Sequence, residues 1–507
     1  MGNGQSAVVA AQVKRPDAGK LANWLLTWVQ PSGAIHGFHN HSVWGSNPYR
    51  WSDFTSGHST WASPLLPSLA LALRGMREGG AEAADERVRG LQERLLQMIR
   101  FQTSPEAFQE DGQYAHIGFQ MGESLKAGLI HNAMPNAALG MTALFAGDWL
   151  PEASRESIRL AMERSFAACD KLYPYGIMYE GARAISNQEY ARLWGKLLYR
   201  RVYGESEVRS DSELIRQIDK MIEQFHFRGL PDADCEASYR YSNTYDSTEP
   251  GEYYGLLIGP LVLAYELFGD SRYLDHAGAL SRHLARSAWY DENGCARMHR
   301  VWYKSGTRWV KLDRPMLIAG MGISLYAIHD YLRHRDDAEL TGFLRQCDAT
   351  YAYYQNPRGY LTSASGWDNE ADVAPASTWQ SHDLLYMIAR YGYDRAFGET
   401  LLAPGDGRIS VLLGSRCIWM EQGERWTITD YHAIDVHQLL GRKDEAVFGR
   451  DMSWVGGPRT LPERFNFADR PGFMKTNEGI YLMPGAYGEA DIDLSNASGM
   501  PYLGLWK

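Results

Sequence analysis

Residues 251–268, GEYYGLLIGPLVLAYELF, indicate the fold of this protein. The stretch opens with polar and aromatic residues and continues as a helix-length run of small and apolar residues. The only charge in that run is Glu266, which lies near its end. A helix that is apolar on every side must be surrounded by protein on every side. The stretch therefore predicts a helix inside a larger helical body, preceded by a polar loop.

Five other segments have the same form, and together the six recur about every 60 residues, as in a repeat protein. The predicted buried helices span 59–75, 131–146, 187–200, 251–268, 315–332 and 378–391. Charged, amphipathic helices are predicted before the first of them, at 17–30, and between them, at 84–103, 152–172, 211–227, 272–288 and 336–352. Buried and amphipathic helices that alternate at a regular period predict an all-α fold, an (α/α)6 toroid of helical hairpins with the low-charge helices inside.

The repeat also sets the domain organisation. Residues 1–16 are predicted to form a flexible arm, and 17–399 the toroid, which is the catalytic domain. The helical repeat ends after Gly398, and 400–507 are predicted to form a small β-containing and coil segment packed on the toroid. Alternating side chains around Lys304-Ser305-Gly306 predict a β-hairpin within 295–311. The glycines of GMGIS, residues 320–324, are interpreted as helix-packing residues in the middle of a helix.

Composition excludes several classes of protein. The net charge is −10 and no long basic run is present, which argues against nucleic-acid binding. No apolar stretch reaches the roughly 20 residues that span a bilayer, so no membrane association is predicted. Residues 1–12 have no secretory signal pattern, which predicts a cytoplasmic protein or one exported after removal of its signal. Five scattered cysteines make neither a disulfide framework nor a CxxC site. Homo-oligomerisation is left open.

Aromatic residues indicate the ligand. The chain has 16 Trp and 30 Tyr, and many of them fall in the predicted loops. Flat aromatic faces beside a wet cleft suit sugar rings, whose C–H bonds stack on them while the hydroxyls take polar partners. The sequence therefore predicts an oligo- or polysaccharide substrate.

With its helical repeat over about 17–395 and its aromatic loops, the chain resembles the (α/α)6-toroid carbohydrate-active enzymes. That class includes glucuronyl-hydrolase-like glycoside hydrolases and uronate polysaccharide lyases. The resemblance rests on architecture and on no family-specific motif. It implies an active site at the ends of the inner helices, and it implies glycosidic-bond cleavage in a glycan that contains uronic acid.

Acidic residues before two inner helices are the candidates for hydrolysis. Asp246, Glu249 and Glu252 precede the fourth inner helix, and Glu180 precedes the third. Glycoside hydrolysis uses one protonated and one ionised carboxyl group. The aromatic surroundings of Glu180 favour a raised pKa, so it is predicted to be the acid. The partner acid is predicted to stay ionised beside the helix N-terminus. Capping of the fourth helix is the alternative role of that cluster.

A second set of residues suits β-elimination by a polysaccharide lyase. His131 and Tyr303 could act as base and acid, while Asn132, Asn187 and Arg300 could neutralise the uronate carboxylate. The remaining residues predicted to bind substrate are His58, Trp61, Tyr190, Tyr245, Arg314, Trp367, Trp379 and His382. A non-catalytic sugar-binding protein is the third possibility.

Three histidines in HGFHNH are the only candidates for a metal site. His36, His39 and His41 lie within six residues and could ligate a divalent ion. The same loop could supply partners for sugar hydroxyls instead. The prediction is that the protein uses no cofactor.

Overall fold

The computed structural model describes most of the helical body and parts of the loops and tail. The described residues are 15–26, 29, 33, 37–38, 54–55, 63–80, 85–114, 129–174, 184–205, 209–227, 238–242, 247–290, 294–299, 301–311, 315–317, 321–355, 359, 361, 377–392, 408–413, 416–421, 425–428, 452–455, 472–476, 480–483 and 490–493. No helix within these ranges is both long and apolar enough to cross a membrane.

Twelve α-helices form the body in the described part of the chain. They are α1 Ala18–Leu26, α2 Leu65–Glu78, α3 Glu86–Thr103, α4 Ile130–Ala146, α5 Glu152–Leu172, α6 Ser186–Tyr203, α7 Asp211–Phe225, α8 Gly255–Phe268, α9 Ser271–Arg286, α10 Gly322–Tyr331, α11 Ala338–Tyr354 and α12 Ser377–Tyr391.

The even-numbered helices make a closed inner ring. Each packs on the next from α2 to α12, and α12 packs back on α2. The Ser68 hydroxyl of α2 donates a hydrogen bond to the Ser381 carbonyl of α12 at this closure (3.3 Å). The odd-numbered helices pack outside: α3, α5, α7, α9 and α11 each lie against the inner helix that precedes them, and α1 lies against α12. The predicted (α/α)6 toroid is confirmed.

Side-chain chemistry explains which helices lie inside. In α8 every residue from Gly255 to Ala264 is buried, because the helix has protein on all sides. The outer helix α7 buries a single stripe at helical spacing, made of Leu214, Ile218, Met221 and Phe225. Its charged residues lie on the opposite side, in contact with water.

Glycines let neighbouring inner helices approach closely. A Cβ placed on Gly322 of α10 would lie closer than 3.0 Å to the backbone of His382 in α12. A Cβ on Gly255 of α8 would meet the Ile323 backbone of α10 in the same way. The interpretation of Gly322 as a packing residue is therefore confirmed, although it begins a helix and does not lie in the middle of one.

Two inner helices, α8 and α10, are capped by their neighbours. The N-cap residues of α2, α4, α6, α8 and α10 make no side-chain capping bond within the described residues. The first N–H of α8, on Gly255, instead donates to Ser324 Oγ of α10 (2.8 Å). The first N–H of α10, on Gly322, donates to Asp383 Oδ1 of α12 (3.0 Å). These bonds between helices set the height of each inner helix relative to the next, because a shift along the axis would break them.

The two ends of the toroid differ in the length of their connections. At one end the chain turns back through 79–85, 147–151, 204–210, 269–270 and 332–337. At the other end it runs through 27–64, 104–129, 173–185, 226–254, 287–321 and 355–376. We call this second end the long-loop end. Every inner helix begins there, so the N-termini of the inner ring lie at the same end of the toroid.

Short antiparallel strands occupy the loops and the tail. The loop strands are β1 Gly37–Phe38 with β2 Phe54–Thr55, β3 His226–Phe227 with β4 Ser238–Tyr239, β5 Ala288–Tyr290 with β6 Ala296–His299 and β9 Pro315–Leu317, and β7 Trp302–Ser305 with β8 Arg308–Lys311. The tail strands are β10 Arg408–Leu413 with β11 Arg416–Glu421, β12 Arg425–Ile428 with β16 Ala490–Asp493, and β13 Met452–Val455 with β14 Gly472–Thr476 and β15 Ile480–Met483.

The β7–β8 pair confirms the predicted hairpin, and β10 to β12 confirm strands at the start of the predicted tail. The fifth inner helix differs from its prediction of 315–332. Residues Pro315–Leu317 form β9 against β6, and the helix begins only at Gly322. A short apolar run fits a buried strand as well as a helix, and the open edge of β6 decides between them.

Candidate active site

A buried carboxyl group joins two inner helices at the long-loop end. Glu249, just before α8, accepts a hydrogen bond from Asn187 Nδ2 at the start of α6 (2.7 Å). Its other oxygen accepts a hydrogen bond from Ser186 Oγ. Both Glu249 and Glu252 are almost fully buried, at 1% and 2% exposure. Two of the predicted acids and one predicted substrate-binding residue, Asn187, therefore lie at one place.

Backbone pairing holds this carboxyl group in position. Glu249 N–H donates to the Tyr239 carbonyl of β4 (2.8 Å). The neighbouring Thr248 N–H donates to the Trp302 carbonyl of β7 (2.8 Å), and Trp302 N–H donates to Thr248 Oγ1 (2.9 Å). Pro250 then begins a short 3-10 turn, Gly251–Tyr253, which carries Glu252. Hydrogen bonds to β4 and to β7 thus hold the segment before α8, and with it Glu249, in a fixed position.

Burial keeps Glu249 protonated at neutral pH. Removal from water raises the pKa of this carboxyl to about 8, and the nearby charge of Glu252 adds to the rise. The hydrogen bonds from Ser186 and Asn187 lower the pKa but do not offset burial. The prediction that the acid before the fourth inner helix stays ionised is therefore wrong for Glu249. The reason is distance: α8 begins only at Gly255, so its dipole acts weakly on Glu249.

This protonation has a measurable consequence for stability. From an ordinary pKa near 4.5 up to about 8, the folded protein keeps a proton that the unfolded chain releases. The contribution of Glu249 to the free energy of unfolding should therefore fall as the pH rises through that window. Urea denaturation of the wild-type protein and of Glu249→Gln at both ends of the window measures it. The stability of the wild type relative to the variant should be larger at the acidic end, and a difference that does not change with pH would contradict the raised pKa.

Polar side chains at the start of α4 form a second buried group. Asn132 is fully buried; its Oδ1 accepts a hydrogen bond from Tyr114 N–H (2.9 Å), and its Nδ2 donates to Gln113 Oε1 (3.2 Å). The Tyr173 hydroxyl donates to the same Gln113 oxygen (2.8 Å). These bonds tie the loop before α4 to its helix, and the contact of Asn132 with a sugar stays a prediction.

Tyr190 and His382 are buried as well. The Tyr190 ring lies edge-on to Tyr239, with centroids 5.6 Å apart, in the packing between α6 and β4. His382 lies in the first turns of α12 against α10, one residue before Asp383. Asp383 Oδ1 accepts from Tyr351 Oη (2.5 Å) as well as from the backbone of α10. Asp383 therefore pairs with the backbone of α10, and these side chains stabilise the ring.

The two residues predicted to act in elimination have different surroundings. Burial lowers the pKa of the His131 imidazole to about 4, so the imidazole is neutral at pH 7. Tyr303 lies on β7 with 37% of its surface exposed, and it pairs across a β-bridge with Ser247. Tyr303 is thus beside the segment that carries Glu249, whereas His131 belongs to α4.

Several predicted residues lie outside the described ranges, and their roles stay predictions. They are Glu180 and Asp246 among the acids, His58, Trp61, Tyr245, Arg300, Arg314 and Trp367 among the substrate-binding residues, and the histidines His36, His39 and His41. Trp379 belongs to α12, but its side chain is also outside the description. Among the residues that are described, no group of three His, Cys, Asp or Glu side chains could hold a metal ion.

Ser186 is a site residue that the sequence analysis missed. Its hydroxyl, at the start of α6, forms a hydrogen bond with the carboxyl group of Glu249, just before α8. The signal was present, because a serine directly before Asn187 at a helix start commonly acts as a cap. In the structure this serine is the first residue of α6, and its side chain reaches the neighbouring carboxyl group.

Comparison with known proteins gives structural similarity alone. No family model and no curated protein matches the chain. A sugar epimerase from a ruminal bacterium is 12% identical over 74% of this chain and 96% of its own, with a TM-score of 0.47. An alpha-1,6-mannanase from Salegentibacter sp. HEL1_6 is 12% identical over 74% and 99%, with a TM-score of 0.44. An unsaturated glucuronyl hydrolase from Bacillus sp. GL1 is 14% identical over 75% and 96%, with a TM-score of 0.40.

Proposed function

We propose that this protein hydrolyses glycosidic bonds in an oligo- or polysaccharide that contains uronic acid, with Glu249 as the proton donor. One observation carries the proposal: a carboxyl group that is protonated at neutral pH lies beside a second carboxyl, Glu252, at the long-loop end of the toroid. Hydrolysis requires an acid that protonates the departing oxygen and a carboxylate that activates water or attacks the sugar. A carboxyl group whose pKa is raised by burial is typical of the acid in that chemistry.

The contacts of Glu249 suit a group that gives up its proton. While Glu249 is protonated, the Ser186 hydroxyl can accept the carboxyl proton in a hydrogen bond. After transfer to the glycosidic oxygen, the new carboxylate accepts the Ser186 O–H and the Asn187 N–H. These donors stabilise the negative charge that develops on Glu249, so they lower the energy barrier to transfer of its proton. Glu252, Asp246 and Glu180 are the candidates for the carboxylate partner.

The uronic acid in the proposed substrate is supported by positive charge in one loop of the long-loop end. Strand β6 carries Arg297, in the same connection as the β7–β8 hairpin with Lys304, Arg308 and Lys311. Arginine binds carboxylates through paired N–H groups, which suits recognition of a uronate. Hydrolysis and elimination both need such groups, so they support the substrate class without deciding the reaction.

Elimination is the second candidate, and it is supported by the exposed Tyr303 beside the segment that carries Glu249. In that reaction His131 would remove the proton beside the uronate carboxylate, and Tyr303 would protonate the departing oxygen. This reaction leaves a carbon–carbon double bond in the new sugar end, whereas hydrolysis leaves none. The two reactions are therefore separated by their products.

A panel of uronic-acid glycans and neutral glycans tests the proposal. Reducing ends that appear without new ultraviolet absorbance establish hydrolysis, which is the expected result. Reducing ends that appear together with absorbance from a conjugated double bond establish the lyase. Binding without cleavage by the wild-type protein would establish a sugar-binding protein and overturn the enzymatic proposal.

A further inference from the structure

The β7–β8 hairpin lies in the most basic stretch of the long-loop end. Residues 295–311 contain the basic residues Arg297, Arg300, Lys304, Arg308 and Lys311, and this stretch has no Asp or Glu. The whole chain has a net charge of −10, so the stretch is a local reversal of sign. A positive element on a negative protein attracts an anionic ligand to one place and repels it elsewhere.

The hairpin is anchored beside the proposed catalytic carboxyl. Trp302 exchanges hydrogen bonds with Thr248, the residue before Glu249, and Tyr303 forms a β-bridge with Ser247. From Trp302 the strand runs to a turn at Gly306, which has φ +63° and permits the tight reversal. Three residues of strand give a reach of about 10 Å from this anchor. The tip therefore extends away from Glu249 while its base stays fixed to the same segment.

The two faces of the hairpin differ. Trp302, Lys304, Trp309 and Lys311 share one face because they pair across the strands. At the base that face is closed, since Trp302 is buried near the His283 ring and Lys311 Nζ lies 4.2 Å from the centre of the Trp302 ring. The opposite face, which we call the Tyr303 face, carries the paired residues Tyr303, Ser305, Arg308 and Val310.

The Tyr303 face has the chemistry of a site for an acidic sugar. It presents an exposed tyrosine ring and an exposed guanidinium, and Arg308 makes no ion pair with any residue that the structure describes. A tyrosine ring stacks on a sugar face, and a guanidinium binds a carboxylate through two parallel hydrogen bonds. Ser305, directly opposite Arg308, adds a hydroxyl to the same face.

We propose that the Tyr303 face is a subsite for the anionic glycan chain beyond the cleaved linkage, with Arg308 holding the acidic group of a more distant sugar. The inference rests on the proposed function and extends it, because it makes the preferred substrate a chain and not a disaccharide. Positive charge on an exposed arm acts over about 8–10 Å at moderate salt, so the contribution of this subsite should weaken as salt is added.

Arg308→Ala tests the subsite, with Lys304→Ala as the matched control on the opposite face of the same hairpin. Binding of a uronate polymer and of its disaccharide is measured by calorimetry, at low and at raised salt. Arg308→Ala should weaken polymer binding roughly three- to tenfold at low salt and leave disaccharide binding unchanged. Lys304→Ala should stay close to wild type.

Three results would overturn the proposal: equal losses in both variants, equal losses on polymer and disaccharide, or the same loss with a neutral polymer. Equal binding of RNA or of anionic lipid vesicles would also overturn it, because the site would then select charge and not sugar. Since binding is the readout, the result does not depend on cleavage. A sulfated uronate polymer beside an unsulfated one identifies which acidic group Arg308 holds.

Discussion

Glu249→Gln should lower the turnover of natural glycosides by about 10²- to 10⁴-fold, the range that loss of a general acid typically costs. Glutamine keeps the shape of the side chain and can still contact Ser186 and Asn187, but it has no proton to give to the departing oxygen. The wild-type rate should also fall as the pH rises through about 8, because the carboxyl then loses that proton. The alkaline fall should be absent in the residual activity of the variant.

A substrate with a strongly acidic leaving group separates proton donation from simple positioning. Such a group departs without protonation, so Glu249→Gln should recover most of its activity on an activated aryl glycoside. A residue that only held α6 and α8 together would lose activity equally on both substrates. Glu266→Gln is the matched control, since Glu266 lies near the C-terminal end of α8, at the opposite end of the toroid from Glu249, and pairs with His334 Nε2 (3.0 Å). Wild-type activity of Glu249→Gln on unactivated glycosides would remove Glu249 from the mechanism.

Gly322→Ala should destabilise the protein by about 3 kcal/mol or more, at the upper end of the cost of overpacking. The added methyl group would lie closer than 3.0 Å to the backbone of His382, and backbone cannot rotate away as a side chain can. Moving α10 outward would also break the bond from Gly322 N–H to Asp383 Oδ1. The clash and the lost cap therefore act at the same contact between inner helices.

Gly342→Ala is the control for the effect of alanine itself. Gly342 lies within the outer helix α11, and a Cβ there meets nothing within 4 Å. Alanine restricts the unfolded chain more than glycine does, so this change should stabilise the protein by about 0.5–1 kcal/mol. Urea denaturation followed by circular dichroism measures both variants. Equal stability of Gly322→Ala and the wild type would show that α10 and α12 can separate at low cost.

The sequence predicted the ring because burial on all sides leaves a clear pattern. The outer helix α5 has the bounds predicted for it, 152–172, since Pro151 precedes it and its apolar stripe is regular. The fifth inner helix was placed too early because the apolar residues Pro315–Leu317 carry no periodicity that separates strand from helix. Pairing with β6 makes these residues a strand, and β6 is separate from them in the sequence although adjacent to them in the fold.

The site could be predicted in part. Asn187 and Glu249 were both identifiable, because each lies where the chain enters an inner helix. The hydrogen bond between them joins residues 62 positions apart and could not be read from local pattern. The protonation of Glu249 was predicted with the wrong sign, since it depends on burial by β4 and β7, which only the folded structure provides. The capping roles of Ser324 and Asp383 could not be predicted either, because each side chain caps the neighbouring inner helix and not its own.

Closure of the ring constrains the order in which the molecule can mature. The first helices, α1 and α2, both pack on α12, which leaves the ribosome last among the twelve described helices. Until then the nascent chain is an open arc, and the apolar faces of α2 and α10 that await α12 stay in contact with water. Such an arc exposes much apolar surface for as long as synthesis lasts, a condition that recruits chaperones and favours association between unfinished chains. A stop of translation before residue 377 would therefore leave a chain that aggregates, not a smaller toroid.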